Sequence, residues 1–156
     1  MKKLVFFLFI VFLFISKSNA QDYSTGIGIR GGWGTGITLK HFLGDNNAVE
    51  GILDTRWDGF NITGLYEIHH QAFDVNRLNW YYGAGWNIGF WNGKNVPWTA
   101  INDNYVVIGI NGILGLEYNF EAIPINLSVD WKPVLNISGA SGIWGKGGAF
   151  SIRYIF

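Results

Sequence analysis

From Tyr23 onward, apolar and polar residues alternate with a period of two in segments of roughly eight to twelve residues bounded by turn residues. No segment shows the spacing of an amphipathic helix. The alternation predicts eight strands, over about residues 24–32, 35–43, 48–57, 60–71, 79–90, 105–120, 125–134 and 149–156. Trp33-Gly34, Gly44-Asp45-Asn46-Asn47, Asp58-Gly59, residues 73–78 and residues 121–124 supply turns between them. Two longer stretches, 91–104 and 136–148, read as loops. The seventh strand alternates most cleanly, with Ile125, Leu127, Val129 and Trp131 facing one way and Asn126, Ser128, Asp130 and Lys132 the other. The last strand repeats the pattern, with Phe150, Ile152, Tyr154 and Phe156 opposite Ser151 and Arg153.

An even number of strands joined by short turns and longer loops predicts an all-β, eight-stranded antiparallel up-and-down barrel. Pairing of residues 149–156 with 24–32 would close it. Alternation alone leaves the interior face open, because a water-soluble barrel hides its apolar side. Side-chain volume favours the reverse. The apolar face is crowded with Trp80, Tyr82, Trp86, Phe90, Tyr118 and Trp131. The opposite face carries Gly26, Gly28, Gly83, Gly85, Gly89, Gly109 and Gly115. Small residues suit a narrow interior, and bulky aromatics suit lipid and its interface.

With that orientation Arg30, Lys40, Arg56, Lys132 and Arg153 point inward, together with Glu50, Asp54, Glu67, Glu117 and Asp130. Confined charges are costly unless paired, so five cations against five carboxylates is the balance a self-neutralising interior requires. Arg153 is expected among Glu67, Glu117 and Asp130.

The 156 residues support one domain, and the low charged fraction of 14% fits a chain with few water-facing surfaces. The start is expected to lie outside that domain. Lys2 and Lys3 precede an apolar run over residues 4–15, and Ser18-Asn19-Ala20 offers a small-residue cleavage site, the organisation of a secretory signal peptide over 1–20. The run is shorter than the roughly 20 apolar residues of a spanning helix. Removal of residues 1–20 leaves eight basic and eleven acidic residues, a formal charge of −3, which excludes the cationic footprint of a nucleic-acid-binding protein. There is no cysteine, so neither a disulfide nor a lipidated cysteine anchor is possible.

Through the leader, the eight alternating strands and the closing segment Ala149-Phe150-Ser151-Ile152-Arg153-Tyr154-Ile155-Phe156, the chain resembles small bacterial outer-membrane β-barrels of the OmpX and OmpA membrane-domain type. Residues 36–42 (GITLKHF) and 112–120 (GILGLEYNF) are similar to stretches of the outer membrane protein β-barrel domain family. The resemblance implies a monomer in the bacterial outer membrane, with both termini periplasmic and with lipid and lipopolysaccharide as surroundings. It also implies that Phe150, Ile152, Tyr154 and Phe156 form the signal read by the outer-membrane assembly machinery. The first two outer loops are shorter than in OmpX-like proteins.

Three functional readings follow. The first is a plugged, salt-bridged barrel with a structural or envelope-interacting role. A narrow porin-like channel past Arg30, Glu67, Glu117 and Arg153 is the second. The third is a barrel that binds or modifies lipid A or lipopolysaccharide, with Trp91, Lys94, Trp98, Ile143, Trp144 and Lys146 as outer-loop candidates for contact with lipopolysaccharide or a partner. Catalysis is not expected. No His-x-Ser pairing accompanies His41, His69 or His70, and adjacent strand residues such as His69 and His70 face opposite ways, which disfavours a metal pair. The Gly-x-Gly pairs at residues 26–28 and 83–85 precede no helix, so no phosphate-binding loop or cofactor is expected.

Overall fold

The computed structural model describes residues 23–56, 58–92, 104–139 and 142–156. The expected leader, Trp57, Lys94 and Trp98 lie outside the described residues. The described residues form strands and turns: β1 (Thr25–Gly32), β2 (Thr35–Phe42), β3 (Asn47–Arg56), β4 (Gly59–Gln71), β5 (Leu78–Asn92), β6 (Asn104–Asn119), β7 (Ile125–Trp131), β8 (Val134–Ser138), β9 (Gly142–Trp144) and β10 (Gly148–Ile155). Consecutive strands from β1 to β7 pair antiparallel, β7 pairs with β10, and β10 returns to β1. The result is a closed, eight-stave antiparallel barrel, in which β8 and β9 extend the wall.

Closure places Gly26 opposite Ile155 and Gly32 opposite Ala149. At the end of this seam the Thr25 amide donates to the Phe156 carbonyl at 2.9 Å, and the Phe156 amide donates back to Thr25 at 2.8 Å. Every stave is therefore paired along both sides, which removes the exposed edge that would recruit another strand.

The expected loop over 136–148 is partly a hairpin, and the expected single strand over 125–134 is interrupted. Pro133 has no N–H to give a ladder, so β7 stops at Trp131 and pairing with β6 resumes in β8, where Val134 faces Asn111. Around the break the Pro133 carbonyl still accepts from Gly112 and the Lys132 amide donates to the Gly147 carbonyl, both at 3.0 Å. β9 then folds back on β8, with Ile143 opposite Leu135. The wall formed by β5, β6, β8 and β9 thus rises well beyond the opposite wall, where β1 and β2 are joined through Trp33-Gly34 alone.

Burial is inverted relative to a water-soluble domain. Ile29 is 65% exposed and Val129 55%, whereas Lys40, Glu67 and Arg153 are all at 0%. Alternation produces this directly: along β4 the outward residues Phe60, Ile62 and Tyr66 are exposed and the inward residues Asn61, Thr63 and Glu67 are buried. The interior is not entirely polar. Ile52, Leu65, Tyr81 and Ile113 form an apolar cluster inside the wall of β3 to β6. Tyr81 fits because its neighbour across the strand pair is Gly115, where a Cβ would lie 2.5 Å from the Tyr81 ring and 2.8 Å from the Asp130 Cβ.

Gly115→Ala should therefore overpack the interior, at a cost of about 1–3 kcal/mol. A urea titration followed by tryptophan fluorescence should show a lowered midpoint. An unchanged midpoint would mean that the interior has slack beside Tyr81.

Candidate functional site

The interior polar groups fall into two layers, set by how far along each stave a residue sits. Toward the end that holds Tyr23 and Phe156, Lys40 is surrounded by three carboxylates: Glu67 at 2.8 Å, Glu117 at 3.4 Å and Glu50 at 3.6 Å. Its ammonium also lies 4.0 Å from the centre of the Tyr81 ring. Arg153 pairs with Glu50, and its other guanidinium nitrogen donates to Ser128 at 2.7 Å and Asn126 at 3.1 Å. Thr38 donates to the same Glu50 carboxylate. The expected partners of Arg153 were Glu67, Glu117 and Asp130, and its ion pair instead runs to Glu50 on β3. The reason is stagger. Glu67 and Glu117 are engaged by Lys40, at 2.8 and 3.4 Å, while Asp130 is held by Arg30 in a two-pronged pair supported by Tyr81 at 3.2 Å.

Aromatic rings close this end. Tyr23 packs edge-on against Phe42 at 5.0 Å and donates to Glu117 at 3.4 Å. Phe42 in turn meets His69 at 4.8 Å, and His69 stacks on Tyr81 at 4.9 Å. The two nitrogens of His69 lie 3.1 Å from Glu67 and 3.3 Å from Glu117, so the ring bridges both carboxylates. His70 faces outward and stacks on Trp80 at 5.2 Å, while His41 meets Thr25 at 2.9 Å. The layer thus contains two strongly basic groups, Lys40 and Arg153, against three carboxylates.

The other layer lies toward the β1–β2 and β3–β4 connections and is more open. Across neighbouring staves, Asn111 donates to Asn87 at 2.8 Å, Asn87 to Asn61 at 2.9 Å, and Asn61 to Asp54 at 3.2 Å. This amide chain runs in one direction and ends on a carboxylate, so each bond polarises the next. Above it is a cavity of about 120 Å³ whose wall includes Asp54, Arg56, Lys132, Trp33, Trp91 and Trp144. Arg56 stacks its guanidinium 3.6 Å from the centre of the Trp33 ring. Lys132, 8% exposed, donates to Thr63 at 3.2 Å and has no ion-pair partner among the described residues.

Trp91 belongs to β5 and turns inward at the barrel mouth, whereas the sequence places it in a loop. Its indole lies against Gly59 and Gly89, where any Cβ would fall within the ring, and its Nε1 donates to the Arg56 carbonyl at 3.1 Å. Of the other expected contact residues, Trp144 also lines the cavity, Ile143 is 81% exposed on β9, and Lys146 reaches to 6.0 Å from the Trp33 ring. Phe150, Ile152 and Tyr154 stand on the outer face of β10, and the Tyr154 and Phe156 rings are 6.1 Å apart.

Tyr23, Tyr81 and Trp91 are the interior residues that alternation with aromatics outside does not pick out. The glycines at 59, 89 and 115 are the available signal: Gly59 and Gly115 leave space for a ring on a neighbouring stave, and Gly89 for the ring two residues along its own.

Asp130→Leu strands Arg30 in the interior and should cost about 3–5 kcal/mol, whereas the double change Arg30→Met with Asp130→Leu should recover most of that loss. Urea midpoints of the three proteins test this. Equal loss in the single and double variants would show that the pair is not the relevant unit. No protein-family model matches the chain, and no curated protein was found to match it.

Proposed function

We propose that this protein is an integral outer-membrane β-barrel with a plugged, charge-paired interior and a structural or envelope-interacting role. The observation that carries the reading is the inverted burial: exposed apolar residues on the outer face of the staves, around an interior that sequesters charge. A lipid-facing band opposite a polar interior is the pattern bilayer-spanning barrels require, because the hydrocarbon layer offers no partner to a charged group. In water the same surface would be an exposed apolar area far larger than monomeric proteins tolerate. The short connections over 43–46, 72–77 and 120–124 share an end with the termini, the side assigned here to the periplasm. The exposed aromatic face of β10 is compatible with recognition by an outer-membrane assembly machinery, and closure of the sheet is compatible with a monomer.

Between a plug and a channel, the ion-paired layer favours the plug. Lys40, Glu50, Glu67, Glu117 and Arg153 have almost no exposed surface, and eight staves leave an interior that side chains fill. Planar-bilayer recordings should show no steady conductance, and a stable open level would replace this reading with the porin-like one.

Membrane residence has its own test. The protein should fractionate with outer membranes and run with heat-modifiable gel mobility. Ile110→Lys on the outer face of β6 should cost about 2–4 kcal/mol if that position meets hydrocarbon. Recovery of the parent as a soluble periplasmic protein, with Ile110→Lys improving its solubility, would overturn the reading.

A further inference from the structure

The five interior cations and five carboxylates balance in number and not in position. The layer around Lys40 has one carboxylate more than its strongly basic groups, and Arg30 and Asp130 cancel each other. What remains at the cavity is Arg56 and Lys132 against Asp54. Lys132, which has no carboxylate in contact among the described residues, is itself buried, at 8% exposed. A buried ammonium held by one hydroxyl is a costly arrangement, and here it lies in the wall of an open cavity.

The remaining wall has the features of a sugar site. Trp91 is held flat by Gly59 and Gly89 and pinned through Nε1, so its orientation is set before any ligand arrives. Such a ring offers an apolar face to the C–H side of a pyranose at little entropic cost. Asp54 and the amides of Asn87 and Asn136 supply acceptors and donors for hydroxyl groups. Arg30 already has its fork filled by Asp130, which leaves the compact Lys132 ammonium as a point charge suited to a tetrahedral oxyanion. About 120 Å³ holds one small group, somewhat less than an engineered cavity of about 150 Å³ that admits benzene, so the rest of the ligand would extend through the mouth.

We propose that the cavity at the β1–β2 and β3–β4 end of the barrel binds a phosphorylated sugar, with Lys132 holding the phosphate and Trp91 stacking on the ring. The phosphosugar could be a free solute or the headgroup of a lipid, since the recognised chemistry is the same. The inference rests on the barrel and its cavity and does not require the membrane reading.

The test is titration of the folded full-length barrel in detergent micelles, followed by tryptophan fluorescence, with heat-modifiable mobility as the check on folding. The probes are glucose 6-phosphate, glucose, inorganic phosphate, and micelles doped with lipid A. Saturable binding of glucose 6-phosphate, at least tenfold tighter than glucose or phosphate alone, is expected. Lys132→Met should weaken it at least tenfold, Lys132→Arg should retain most of it, and Trp91→Leu should weaken it with the phosphate contact intact. If Lys132→Met does not fold, Asn136→Asp, which adds a negative charge to the cavity and leaves Lys132 in place, should abolish binding. Lipid A binding that is sensitive to the same substitutions, without glucose 6-phosphate binding, supports the site with a headgroup as its source. A folded barrel that binds neither probe, or binds them equally well with Lys132→Met, overturns the proposal while leaving the barrel intact.

Discussion

Everything in this barrel is arranged around the neutralisation of charge in a space too narrow for water to do it. Lys40 is the clearest case. Its ammonium has no exposed surface, and its solvent is three carboxylates, one from each of β3, β4 and β6, together with the face of Tyr81. A contact of this kind links staves that are not neighbours in the sheet. Backbone ladders join each stave only to the next, so the interior charges are what tie opposite walls together. The same role falls to Arg153, which reaches from β10 to Glu50 on β3, and to Arg30 with Asp130. A buried pair contributes little net stability, since desolvation offsets most of the attraction, but a wrong pairing is very costly. The column therefore acts mainly by selecting one register over its alternatives, a strong requirement where a one-residue slip inverts every side chain.

Apolar packing has an unusual distribution as a result. Inside, Ile52, Leu65, Tyr81 and Ile113 form one cluster on the wall of β3 to β6, and the Lys40 ammonium lies against it over the Tyr81 ring. Outside, a far larger apolar surface has no protein partner among the described residues. Folding energy from burial must then come largely from whatever covers the outer face, while the interior supplies specificity.

Much of this was legible in the residue pattern. A period of two is unambiguous when one face is apolar and the other charged, as along 125–132, where the sequence distinguished outward Val129 from inward Asp130 without help. The barrel's closure followed from strand number and pairing of the two terminal strands. Partner choice inside the barrel was not legible, because it depends on stagger, and Arg153 went to Glu50 for that reason. The hairpin over 134–144 was hidden by its Gly and Ser content, which reads as loop, although Pro133 marks the break. The cavity was hidden because Trp91 lies at the boundary of an alternating segment, and the glycines that seat it belong to other positions on β4 and β5.

The unequal height of the wall has a geometric consequence. β5 and β6 span 15 and 16 residues and are continued by the β8–β9 hairpin, while β1 and β2, on the far side of the circle, span 8 each and turn back at Trp33-Gly34. Among the described residues the mouth is therefore a bay and not a well: a tall screen stands behind the cavity and a low sill, made of Gly34 and its neighbours, stands in front. A molecule travelling down the barrel axis meets the screen obliquely. On the membrane reading proposed above, a headgroup carried by a lipid would cross at the sill, and its approach would be confined to two dimensions.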